Sequence, residues 1–193
     1  MIIDAPRLAD LLEQSAALHR HLCPRQVLGA RMGLYAGELL GIELPQCDKR
    51  LFTLVETDGC FADGVAVATG CWLGRRTLRL VDYGKVAATF VDRQRGRAVR
   101  IWPDPEARAH ALEYAPAVGG RWYAYLEAYQ MMPTAELLQA REVQLTISLA
   151  KLISRPGVRA RCDACGEEII NEREISCGQR RLCRSCAGEG YYR

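Results

Sequence analysis

No apolar run in the 193-residue sequence approaches the roughly 20 residues that a membrane-spanning helix needs. The segment from Met1 to Leu12 carries Asp4, Arg7 and Asp10 and has no long apolar stretch, so no secretory signal peptide is expected. Internal repeats and low-complexity tracts are absent. Lysine is scarce: Lys49, Lys85 and Lys151 are the only lysines among 26 basic side chains. The formal net charge of +3 is too small to argue for nucleic acid by itself. There is no ferredoxin-type cysteine run. With no export signal, the nine cysteines read as thiols serving metals in a reducing cytoplasm rather than as disulfides.

Four of those cysteines carry the clearest signal. Cys162, Cys165, Cys183 and Cys186 form C-x2-C, a gap of 17 residues (166–182), then C-x2-C. This spacing falls in the range of a four-thiolate zinc site. Two residues between paired thiols let both sulfurs of a tight turn face one ion, and two pairs close a tetrahedron with no open position. The centre should therefore be structural. Gly166 can take positive φ after the second thiolate. Residues 168–175 and 179–182 are expected to form a hairpin around Cys177-Gly178, with a last helical turn opening at Cys183 to Cys186. Knuckle, hairpin and helix in that order suggest a treble clef. Cys177 is either a free thiol or a competing ligand.

The rest of the chain has the length and composition of one ordinary domain, with 49% hydrophobic and 25% charged residues. Leu8, Leu11, Leu12 and Leu18 share a helical stripe over residues 6–18. Pro24 suits the first turn of a second helix with Cys23 at its cap, running to Leu40 and stopping at Gly41. Strands are expected at 51–56, 77–82, 85–91, 97–102 and 142–149, with Tyr83-Gly84 turning the second into the third. A short helix should begin near Cys60. Further helices are expected over 104–130, broken near 116–120, and over 134–140. The fold class is α+β: an antiparallel sheet flanked by helices, with a small C-terminal zinc domain. Ser154-Arg155-Pro156-Gly157 marks the boundary, giving a core of residues 1–155 and a finger of residues 156–193.

The core holds a second candidate centre. His19 and His21 are two of the three histidines, and they lie just before Cys23. Imidazole, thiolate and carboxylate are the usual ligands of a catalytic zinc or a related transition metal. In an extended segment His19, His21 and Cys23 would share one face. Cys60 near a helix N-terminus would sit in a field that favours its thiolate. Asp63, one turn on, would cap that helix or orient a histidine. His21, Cys23 and Cys60 are thus the candidate catalytic residues, supported by His19 and Asp63. The candidate core ligands are His19, His21, Cys23 and Cys60. Cys47 and Cys71 read as packing residues.

The pattern His19-x-His21-x-Cys23-Pro24 with Gly29-x-Arg31 resembles the opening signature of the formylmethanofuran dehydrogenase E-subunit family. Cys60-x-x-Asp63 with Thr69-Gly70-Cys71, and Asp82-Tyr83-Gly84-Lys85 leading into Ala88-Thr89-Phe90, are similar to its second and third signatures. The tail is similar to the finger that some members carry. The resemblance implies a homodimeric α+β core with a groove between the His/Cys segment and the Cys60 helix. It also implies a setting near molybdenum- or tungsten-dependent C1 chemistry, with subunits of such an enzyme, or a small oxyanion, as partners. The catalytic machinery of that complex belongs to other subunits, and no pterin-binding pattern stands in this chain. The sequence departs from the family at Arg20 and Arg25, where glycine is usual, and at Gly64, where alanine is common. Arg20 and Arg25 would either fill the pocket or bind an anion.

Two rival readings stand beside a metal-binding accessory protein. A nucleic-acid-binding or regulatory finger would use Arg180, Arg181, Arg184 and Arg193, but residues 157–193 hold seven arginines against six acids. A thiol redox protein would use Cys23, Cys60 or Cys71, none of which forms a C-x-x-C pair. The arginines at 93, 95, 97 and 100 read as the solvated edge of a hairpin, His110 as a surface residue, and the three tryptophans as core or interface anchors.

Overall fold

The computed structural model describes residues 5–115 and 119–192, which form two compact units, one ending at Gln144 and the other beginning at Leu145. The expected boundary at residues 154–157 lies within the second unit. The first contains α1 (Ala5–His19), α2 (Pro24–Leu40), β1 (Leu51–Val55), α3 (Cys60–Thr69), β2 (Leu78–Leu80), β3 (Ala88–Asp92) and β4 (Arg97–Pro103). It continues with α4 (Ala107–Tyr114), α5 (Arg121–Met131), α6 (Thr134–Leu137) and β5 (Leu138–Glu142). The five strands form one sheet in the order β2-β1-β3-β4-β5. The architecture is α+β as expected. No helix among the described residues is long and apolar enough to cross a membrane.

Three strand expectations need correction. β2 does not form a hairpin with β3; it pairs parallel to β1, with α3 as the crossover between them. Tyr83-Gly84 is instead held at the end of β1, where the Glu56 carbonyl accepts the N–H groups of Tyr83 and Lys85. The alternating stretch 142–149 is not a strand, because 138–142 already pairs with β4 and the ladder ends where Val143 donates to the Ala98 carbonyl. The helix placed over 134–140 therefore stops at Leu137. β4 is an interior strand and its Arg100 pairs with Glu56, so of the four arginines expected at a solvated hairpin edge only Arg93, Arg95 and Arg97, exposed at the β3–β4 turn, fit.

α1 buries Leu8, Leu11 and Leu12, but Leu18 points outward and is 58% exposed. All three phenylalanines, Phe52, Phe61 and Phe90, are fully buried, Phe61 and Phe90 in the sheet–helix core. The closest packing is between α2 and α3. A Cβ at Gly29 would stand 2.3 Å from the Phe61 carbonyl oxygen, and one at Gly64 would stand 2.2 Å from that of Gln26. At Gly33 a Cβ would meet the Ala68 Cβ at 2.5 Å. The two helices thus touch backbone to backbone, an approach that only glycine permits. Because α2 follows Cys23 directly and α3 begins at Cys60, this crossing fixes where the two thiols stand. Alanine at position 64 does not fit here without a shift.

In the second unit, α7 (Leu149–Ile153) precedes β6 (Arg159–Arg161), β7 (Glu168–Ile170), β8 (Ile175–Cys177) and β9 (Arg180–Leu182), followed by a helical turn over Ser185–Glu189. β6 pairs with β7 and β8 with β9, both antiparallel. The single expected hairpin is thus two hairpins, since Asn171 and Glu172 take positive φ and break the 168–175 segment. Gly166 and Gly178 adopt positive φ at the two turns. Among the described residues the buried apolar cluster of this unit is small: Cys162, Ile169 and Leu182, with Ala160, Cys183 and Ala187 packed against it.

Candidate functional site

In the second unit the sulfurs of Cys162, Cys165, Cys183 and Cys186 all lie within 4.8 Å of one another. The Cys165 and Cys183 sulfurs are 4.0 Å apart, close to the ~3.8 Å that tetrahedral bonds of ~2.3 Å require. The arrangement fits a metal such as zinc. The Cys183 N–H points at the Cys162 sulfur at 3.3 Å, and the Cys186 N–H at the Cys183 sulfur at 3.4 Å. Backbone N–H groups of Cys165 and Cys183 lower the Cys162 thiol to about 6, while the adjoining Cys183 and Cys165 push Cys186 up to about 12. A dication that binds displaces the protons the cluster still holds. Cys177, exposed at the end of β8, lies outside the cluster.

The core cluster is built where α1 ends. His19 closes α1, and Arg20 then takes φ 62°, the left-handed region where glycine is favoured. The segment is therefore kinked rather than extended, and the kink brings the two imidazoles together, with ring centroids 4.6 Å apart. Cys23 caps α2 in an extended conformation, with Pro24 in the first turn. Gln26, fully buried, accepts the Cys23 N–H at 2.7 Å and donates to the Ser15 carbonyl and hydroxyl at 3.1 and 2.9 Å. That network fastens the turn to α1. It is missed on reading the sequence, although C-x-x-Q at a helix start is a capping-box pattern.

From the start of α3, the Cys60 sulfur lies 3.0 Å from His19 Nε2, and Asp63 Oδ2 lies 2.8 Å from His19 Nδ1. Ligand atoms of His19, His21 and Cys60 lie within 4.8 Å of one another. Cys23 is buried and its thiol contacts that of Cys60, but it stands outside the three-residue group, because the kink at Arg20 removes the common face that an extended segment would have given it. Burial and the neighbouring Cys23 thiol push Cys60 up, overriding the helix-start field expected to favour its thiolate. Cys71 is buried, with its sulfur 3.5 Å from the Leu51 carbonyl oxygen, and belongs to no such group among the described residues. Cys47, expected to be buried, is exposed.

His21, Cys23 and Cys60 also form part of the wall of a chamber of about 870 Å3. Arg25 lines it while remaining exposed; Arg20 does not line it. Lys85 reaches the wall because its loop wraps the end of β1, with Gly84 at φ 63° and its N–H on Asp82 Oδ1. Arg100, also in the wall, makes a two-pronged pair with the buried Glu56 at 2.6 and 2.7 Å and lies 5.1 Å over the Trp102 ring. α5 contributes Trp122, Tyr125 and Tyr129. The end of α5 is held by buried Arg31, which donates to the carbonyls of Tyr129 and Met132 at 2.6 and 2.8 Å; burial lowers Arg31 to about 10. Of the tryptophans, Trp122 is 44% exposed and is not a core anchor. The expected helix break near 116–120 is present: α4 ends at Tyr114 and α5 begins at Arg121, with Gly119 and Gly120 at positive φ, while residues 116–118 lie outside the described residues.

Residues 18–146 match the family model "FmdE, Molybdenum formylmethanofuran dehydrogenase operon". A protein of Archaeoglobus fulgidus described as a "Probable S-adenosyl-L-methionine-binding protein" is 31% identical over 203 residues, covering 96% of this chain. The chain spans about half of that relative's length, 54%. A crystal structure of a tungsten formylmethanofuran dehydrogenase FmdE-like protein from Syntrophus aciditrophicus superposes with a TM-score of 0.64 at 22% identity, covering 96% of this chain and 95% of that one. At that identity the likeness is one of fold.

Proposed function

Because the chain belongs to the FmdE family, we propose that it is a metal-binding accessory protein of molybdenum- or tungsten-dependent C1 metabolism. In this reading His19, His21 and Cys60 hold a transition metal in the core, with Cys23 alongside, and the four tail cysteines hold a structural zinc. One observation carries the reading: His19 stands between Asp63 and Cys60 with a polar contact on each ring nitrogen. Metal-bound histidines characteristically give their second nitrogen to a carboxylate, which fixes tautomer and ring orientation. Three donors would leave a four-coordinate ion one position for water or substrate, in contrast to the closed tail centre. A metal there supplies a Lewis acid or an activated water. The protein's own part is to aim His19 through Asp63, to seat the Cys23–Cys60 pair through the glycine crossing, and to shape the adjoining wall.

The family's operon description supports a partner among the subunits of a molybdenum enzyme, and the exposed Tyr123 and Met131 on α5 support a homodimer. The treble-clef reading of the tail is supported by its hairpins and final helical turn. Elemental analysis of the purified full chain tests the metal assignment. Wild type should carry about two metal ions, and His19→Ala/His21→Ala about one, retained in the tail. Metal content unchanged in that variant would remove the core centre from the proposal.

S-adenosyl-L-methionine is the ligand named for the Archaeoglobus relative, and the chamber's aromatic wall would suit an adenine. The cationic lining argues against its sulfonium, so this remains the second reading.

A further inference from the structure

Three cations in the chamber wall have no ionic partner among the described residues. Arg25, Lys85 and Arg108 line the space, and none of the ion pairs formed in the structure includes them. Arg100 is already matched by Glu56. The one carboxylate in the wall, Asp104, is occupied at both oxygens: Oδ1 accepts the Glu106 N–H at 2.8 Å and Oδ2 the Gln139 amide at 2.7 Å. Those donors are neutral and leave Asp104 its charge, but the three cations outnumber it, so the net field inside the chamber is positive. Opposing walls confine that field, which concentrates anions.

The same wall offers flat faces. Trp122 is 44% exposed, Trp102 and Tyr125 are part-buried, and Tyr125 stacks on Tyr129 with rings 6° from parallel. Arg108 stands by the Tyr129 hydroxyl, so cation and aromatic surface adjoin. A volume of about 870 Å3 is the size of a nucleotide-scale ligand rather than of a small inorganic ion.

We infer that this chamber binds an organic anion whose planar ring lies against Trp102, Trp122 and Tyr125 and whose carboxylate or phosphate is received by Lys85, Arg25 and Arg108. The third sequence signature, Asp82-Tyr83-Gly84-Lys85, thereby acquires a role: its tight loop on the Glu56 carbonyl delivers Lys85 to the wall. The inference rests on the metal-centre reading only for the position of the ligand's reacting end, since His21 and Cys60 share the wall. Binding itself needs no metal.

The test is intrinsic tryptophan emission of the full chain, because two of the three tryptophans line the chamber. Charged and neutral pairs are titrated into metal-loaded and chelator-treated protein: adenosine 5′-monophosphate against adenosine, and nicotinate against its near-isostere nicotinamide, with inorganic phosphate and S-adenosyl-L-methionine alongside. The charged member of at least one pair should bind about tenfold tighter than its neutral partner. Lys85→Gln and Arg108→Gln should each abolish most of that difference. Which pair discriminates tells phosphate from carboxylate. Equal affinity for charged and neutral members, preference for S-adenosyl-L-methionine, or indifference to both substitutions would overturn the inference. Metal content, measured on the same samples, reports separately on the core centre. Charge-selective binding to chelated protein sustains the chamber even if the metal reading fails.

Discussion

His19 Nδ1 lies 2.8 Å from Asp63 Oδ2, on the side of the ring opposite the Cys60 sulfur. The carboxylate therefore sets both the tautomer of His19 and the direction in which Nε2 points. Asp63→Ala should lower core metal affinity by about 10–100-fold, as loss of such outer partners generally does. Asp63→Asn, which keeps an acceptor oxygen, should cost less. Competition with a chromophoric chelator measures both, and the tail centre should be untouched in each variant. Equal affinities in wild type and Asp63→Ala would show that the carboxylate does not orient a ligand.

Gly64→Ala sets two magnitudes against each other. In a helix interior alanine is favoured over glycine by about 1 kcal/mol. Here its Cβ would lie 2.2 Å from the Gln26 carbonyl oxygen, so the helices must part, at a cost of about 1–3 kcal/mol or more. The clash should win, and Gly29→Ala should behave alike, because its Cβ meets the Phe61 carbonyl oxygen at 2.3 Å. Urea unfolding of both variants should show a lowered midpoint. Since the crossing seats Cys23 and Cys60, core metal binding should weaken as well. A raised midpoint would mean that the crossing relaxes freely.

The buried Asp92 carboxylate receives Arg50 Nε at 3.0 Å and Nη2 at 2.6 Å, together with the Gln94 N–H at 2.9 Å. Arg50 is the main reason its pKa falls to about 2. A carboxylate depressed in the folded state stabilises at pH above its unfolded value of ~3.9, and that contribution is lost as pH falls towards 2. With excess chelator present to remove metal linkage, melting temperature should drop across this window. Asp92→Asn should be less stable at pH 7 and should show a shallower drop below pH 4. Parallel pH curves for the two proteins would dissociate Asp92 from the acid response.

Local signals were legible where a single residue type dictates the backbone. Pro24 opened α2 and Gly41, at φ 63°, closed it. The cysteine spacing located the tail cluster. What eluded the sequence depended on partners distant in the chain. Parallel pairing of β2 with β1 follows from the α3 crossover, which a short strand next to Tyr83-Gly84 does not reveal. The alternation over 142–149 had no burial to match, and Ile147 is 45% exposed. Glu56 and Arg100 are 44 residues apart in sequence, so their pairing had no local signature. At the core centre the residue types were readable, but their convergence depends on positive φ at Arg20, a conformation that an arginine does not advertise.

The tail should depend on its metal for folding. Its buried apolar cluster is Cys162, Ile169 and Leu182, and one of those three is itself a candidate ligand. A core this small stabilises too little by itself to order the hairpins. Coordination by four thiolates adds folding free energy on the order of 10 kcal/mol or more in comparable zinc domains. Chelation at neutral pH should therefore erase amide hydrogen-exchange protection in β6 to β9, while β1, β3 and β4 stay protected. Cys162→Ser should do the same without chelator, because the substitution removes a ligand and the best-buried thiol together. Protection of β8 and β9 that survives both treatments would mean that the hairpins stand on their own contacts and that the four sulfurs are not what holds them.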